Sequence, residues 1–266
     1  MSPEKLNLDP DAKQKFFEAL NDLKETMDFR DTIYVVESPS AEDLLAGRNE
    51  GDSLVRVLRL AEIDVVYFLA INAEMFESAF EQIGTAILNQ PDLKTAMPFI
   101  HISAHGSRDG IELSDDDTIY WEKLSKILAD LHKTIGPVGD SRLAVVLEAM
   151  RVDGEKPIFH ADTPKFALCM SSCSAFTNYV SEAPRPPPFQ AIVGPIRDVG
   201  WCESMLAFSS FYYLTGVLKK DFGVSVMSMN FACGSVVGDG PAFATWNWFE
   251  EGEPAQNIHL SSGSPS

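Results

Sequence analysis

Between residues 32 and 218, short apolar runs alternate with stretches whose apolar residues recur every three or four positions. Thr32-Ile33-Tyr34-Val35-Val36, Val65-Val66-Tyr67-Phe68-Leu69, the run from Phe99 to His105, Phe166 to Met170 and Gln190-Ala191-Ile192-Val193-Gly194 have strand length and β-rich composition. Among them, Leu54, Val55, Leu58 and Leu60 predict one helix. Phe76, Phe80 and Ile83 predict a second from about Glu74 to Leu88, and Trp121 to His132 reads as a third. A fourth spans Ser204 to Leu218 with an aromatic stripe of Phe208, Phe211 and Tyr212. The strands are apolar at consecutive positions, so both of their faces have to be covered. Strands of this kind alternating with helices predict an α/β domain with a mostly parallel central sheet, helices on both faces and right-handed crossovers.

Outside this alternation, Phe16, Phe17, Leu20, Leu23 and Met27 predict an amphipathic helix over 11–27. Gly136, Pro137, Gly139, Gly154, Pro157 and Pro164 mark residues 134–164 as an insertion around a short helix at Leu143 to Met150, placed to edge a site. Asp115, Asp116 and Asp117 read as the cap of the helix at Trp121, because the ligand periodicity of a calcium loop is missing. The Gly-, Ser- and Pro-rich end from Gly252 to Ser266 reads as a disordered tail. Residues 1–251 are thus expected to form one domain.

Composition narrows the function. Twenty-one basic residues against 39 acidic ones give a net charge of −18, which opposes phosphate backbones and anionic lipid alike, so nucleic acid and membrane surfaces are unexpected partners. Cys169, Cys173, Cys202 and Cys233 show no C-x-x-C or paired-histidine spacing, so neither a zinc site nor a disulfide framework is expected. Free thiols, no signal-like amino terminus and no run of membrane-span length predict a cytoplasmic protein.

Two strand ends carry the chemistry. The run Phe99 to Ala104 stops at His105-Gly106, and Phe166 to Met170 leads through Ser171-Ser172 to Cys173. A histidine and a cysteine at the carboxyl ends of parallel strands lie on the edge where such sheets place their sites, and together they predict a cysteine nucleophile with its base. An imidazole or a following helix amino terminus would stabilise the Cys173 thiolate. Gly106 leaves its amide open to close approach, so it is a candidate oxyanion donor. His101 shares a strand face with His105, but four strand residues separate the two by about 13 Å, too far to hold one metal ion.

In that order, His101-Ile102-Ser103-Ala104-His105-Gly106, Gly110-Ile111-Glu112-Leu113 and Ser171-Ser172-Cys173-Ser174 resemble the motifs of caspase-like cysteine peptidases of clan CD, in particular the CHAT/separase branch. Ala191-Ile192-Val193-Gly194-Pro195-Ile196-Arg197-Asp198 resembles the strand in which those proteins carry a glycine and then an aspartate before a helix. The resemblance covers roughly Ile33 to Leu218. It implies a caspase-like three-layer sandwich and an endopeptidase needing no cofactor or metal. Cys173 would attack the scissile carbonyl and His105 protonate the leaving amine, with the Gly106 and Cys173 amides as oxyanion hole. Asp198 would line the S1 pocket and hold a P1 arginine or lysine. It further implies protein or peptide substrates, regulation by an activating or inhibiting protein partner, and a role as a bacterial effector. A catalytically silent adaptor of the same fold and an acyl transferase sharing the dyad are the competing expectations.

Overall fold

The computed structural model describes residues 32–89, 98–149, 166–184, 187–233 and 241–247. In chain order the elements are β1 (Ile33–Ser38), α1 (Ala41–Ala46), α2 (Glu50–Leu60), β2 (Val65–Leu69), α3 (Ala73–Asn89), β3 (Phe99–Gly106), β4 (Gly110–Glu112), β5 (Thr118–Tyr120) and α4 (Trp121–Ala149). There follow β6 (Ala167–Ser171), α5 (Ala175–Glu182), β7 (Ala191–Pro195), α6 (Trp201–Tyr212), a π-helical turn (Tyr213–Val217), α7 (Phe222–Ala232) and β8 (Phe243–Asn247).

The sheet runs β2-β1-β3-β6-β7-β8, with β4 and β5 as a hairpin off the end of β3. Its first five strands are parallel and β8 is antiparallel to β7. Side chains alternate across it. Tyr34, Ile100, Leu168 and Ile192 face one core layer, with Phe76, Phe80 and Ile83 of α3, Leu124 and Leu128 of α4 and Tyr179 of α5. Ile33, Val35, Phe99, Ala167 and Ala191 face the other, with Leu54 and Leu58 of α2, Phe208 and Phe211 of α6 and Met229 of α7. This is the expected α/β three-layer sandwich, mostly parallel, with helices on both faces.

Layer assignment follows from crossover direction. The step from β1 to β2 runs one way along the sheet and uses α2; the steps from β2 to β3, β3 to β6 and β6 to β7 run the other way and use α3, α4 and α5 on the opposite face. Reversing direction while keeping one crossover hand requires the change of face. The reversal leaves a crevice between the carboxyl ends of β1 and β3, the position at which doubly wound sheets hold ligands.

Two local expectations change. Helix α4 continues through Gly136, Pro137 and Gly139 to Ala149, so the first half of the expected insertion is helical. Trp121, Leu124, Leu128, Leu131 and Ile135 bury one stripe of its first half. Residues 115–117 form the turn between β4 and β5 rather than a helix cap: Asp115 N–H donates to the Ile71 carbonyl, Asp116 has φ of 68°, and β5 intervenes before α4. Beyond Leu218, where the resemblance ends, the chain supplies α7 and the edge strand β8. The expected helix over 11–27, the rest of the insertion from 150 to 164 and the tail from 252 lie outside the described residues. No helix among the described residues is long and apolar enough to cross a membrane.

Candidate active site

Strands β3 and β6 are hydrogen-bonded neighbours whose last register pair is Ser103 with Ser171. His105 and Cys173 each lie two residues further on. Sequence-distant as they are, both line one cavity of about 240 Å³, whose wall also includes Ala104, Ser171, Val199, Gly200, Trp201 and Ser204.

His105 is held from the far side of the crevice. Its Nε2 lies 2.7 Å from Oδ2 of Asp43, which α1 presents just after β1. Ser40 caps that helix by accepting the Asp43 N–H, and its hydroxyl donates to Asp43 Oδ2 at 2.7 Å. Arg48 Nε donates to Oδ1 at 2.8 Å. The Asp43 side chain is only 5% exposed. Burial alone would raise its pKa; the hydrogen bonds from Ser40, His105 and Arg48 outweigh that and hold the carboxyl well below the usual carboxylate range. An ionised carboxylate can only accept, so Nε2 of His105 donates, and in the neutral imidazole Nδ1 keeps the lone pair. The ring also meets the edge of Trp201, centroid to centroid 4.9 Å.

Cys173 occupies a sharp strand-to-helix turn. Ser174 beside it takes φ of 53°, a left-handed conformation that a residue with a Cβ adopts at a cost, and α5 begins one residue later. The thiol is therefore next to a helix amino terminus, where negative charge is favoured. Its Sγ points to the Val199 carbonyl at 3.6 Å. Gly106 packs directly on this turn: a Cβ there would stand 2.6 Å from the Cys173 carbonyl oxygen and 3.0 Å from its nitrogen. The two backbones expected to supply an oxyanion hole are thus in contact, and only glycine permits it.

Asp198 is placed differently. It is exposed, accepts from the Ser174 hydroxyl at 3.3 Å and is absent from the cavity wall. Arg197 turns to Glu203 at 2.7 Å and to the Asp198 carbonyl at 2.8 Å. His101 is fully buried among aromatic rings, its Nδ1 2.9 Å from the Tyr212 hydroxyl and its Nε2 3.7 Å from Glu50. Ser103 donates to the same Glu50 carboxylate. Cys169 is buried as well, and burial pushes its thiol up to about 12, so it is inert beside Cys173. No cluster of three or more His, Cys, Asp or Glu among the described residues could hold a metal ion.

Asp43, Ser204 and Trp201 had no functional reading in the sequence. Ser40-x-x-Asp43 carries the signature of a helix start, which marks α1 but not the histidine across the crevice. No protein-family model matches this chain, and no curated protein matches it significantly.

Proposed function

We propose that this chain is a cysteine endopeptidase of the caspase-like type, with Cys173 as nucleophile, His105 as acid and base, and Asp43 positioning His105. One observation carries the reading: Cys173 and His105 border a common cavity, and the imidazole is tied through Nε2 to an ionised, buried carboxylate. Nucleophile, base and orienting carboxylate are the components of covalent acyl transfer.

In the first half-reaction the Cys173 proton passes to Nδ1 of His105 and the sulfur attacks the peptide carbonyl carbon. The carbonyl oxygen takes up the negative charge beside the Gly106 and Cys173 backbones. When the C–N bond breaks, the imidazolium returns its proton to the leaving amine, and the acyl group stays on Cys173 as a thioester. Water then gives a proton to His105 and attacks the thioester carbonyl, which releases the carboxylic acid and restores the thiol. Asp43 stabilises the imidazolium that forms in each half.

Cleavage of a peptide library by wild type and by Cys173→Ala tests this reading. Hydrolysis present in the first and absent in the second supports it. An unreactive Cys173 and no turnover by the wild type under any condition would point to an adaptor instead.

A further inference from the structure

If Cys173 is the nucleophile proposed above, we infer that the cavity beside it is the S1 pocket and that it accepts an uncharged P1 side chain, with the Ser171 and Ser204 hydroxyls as its floor. A P1 side chain branches from the atom next to the carbonyl carbon under attack, so it must enter the space beside Sγ. The cavity bordered by Cys173 and His105 is that space.

Its chemistry follows from the strand. Ser171, the last residue of β6, lines the cavity two positions before Cys173. Its hydroxyl pairs with that of Ser204 from α6, and both residues are buried. Only one hydroxyl hydrogen is spent on that bond. The second, with the spare lone pairs, remains for a neutral polar tip. The walls are Ala104, Val199, Gly200 and the Trp201 ring.

Among the described residues, no carboxylate stands in this wall. Asp198 is exposed on the Ser174 side, and Glu203 is occupied by Arg197. Glu50, buried on the same sheet face, is engaged by Ser103 and borders His101 without reaching the cavity. A guanidinium or ammonium group in the cavity would lose its water and gain no counter-charge, which is strongly unfavourable. An acidic side chain would also lose its water there, and the described wall offers it no basic side chain besides His105. Apolar or amide side chains, such as those of Met and Gln, fit the lining.

The test is a panel of acyloxymethyl ketone peptides differing only at P1 (Ala, Met, Gln, Arg, Asp), with Cys173 labelling followed by peptide mapping. Iodoacetamide serves as a control for thiol access. Expected is labelling by Met or Gln probes at least about tenfold faster than by Arg or Asp probes. Asp198→Asn should leave that ratio in place, and Ser204→Asp should raise the Arg rate. The wild-type panel decides even if Ser204→Asp does not fold. Fastest labelling by the Arg probe, lost in Asp198→Asn, would overturn the inference while leaving the peptidase intact. Modification by iodoacetamide but by no peptide probe would overturn both.

Discussion

Replacing Asp43 by Asn probes the link between α1 and the candidate nucleophile without altering shape. The imidazolium formed during acyl transfer has its Nε2–H on a carboxylate at 2.7 Å; in the variant it faces a neutral amide. The His105 side chain is 40% exposed, so solvent screens part of the attraction. A charge-assisted bond in such a setting is worth about 1.5–3 kcal/mol. At tenfold per 1.36 kcal/mol, kcat/KM for peptide cleavage should fall roughly 10- to 150-fold. The Asn amide can also present its NH2 to the ring and favour the tautomer with hydrogen on Nδ1, which acts in the same direction. Stability should behave separately. The Asp43 pKa is depressed on folding, so its contribution is complete above the ordinary value near 3.8 and is lost as pH falls below it. The melting-temperature gap between wild type and variant should therefore narrow below about pH 4, while the activity loss at neutral pH remains. A cleavage rate within about twofold of wild type, in a variant shown to be folded, would refute the positioning role.

Gly106→Ala should place a methyl group against the Cys173 carbonyl, a backbone atom that cannot turn aside. Urea denaturation should show a loss of about 1–3 kcal/mol, and Cys173 labelling should slow sharply; unchanged values in both would dissociate Gly106 from the nucleophile turn. Glu37→Gln should cost a similar amount, about 1–3 kcal/mol, because Glu37 accepts from the Gly51 and Asp52 amides and from the Tyr67 hydroxyl, and a carboxamide cannot accept all three. Cys173 labelling in that folded variant should stay near wild type. Native iodoacetamide treatment near pH 8 should modify Cys173 and the exposed Cys202 and spare Cys169 until denaturant is added. Early modification of Cys169 would contradict its burial.

Much of the fold was legible in the chain because burial is written locally. The consecutive apolar residues of β1, β3, β6 and β7 declare strands covered on both faces, and the three-to-four spacing of α2, α3 and α6 declares helices that cover them. His105 and Cys173 stood out for the same reason, as polar residues placed where buried strands stop. Local pattern misjudged the region of Gly136 to Gly139, since breaker residues report only a local backbone cost and the helix runs on through them. It was also silent about α7 and β8, whose strand is specified by pairing with β7.

The sequence alone determined which residues had to be inside, and with them the parallel α/β layering and the two strand ends that carry chemistry. Tertiary structure decided what those ends face. Asp43 reaches His105 only because the sheet reverses its winding between β1 and β3. Asp198 meets the Ser174 hydroxyl and not the cavity wall because the turn after β7 carries it there. Ser204 joins Ser171 because α6 packs across that same face. Beyond a strand end, a side chain's position is set by loop torsions and by contacts from elements far away in the chain, and no short-range periodicity encodes them.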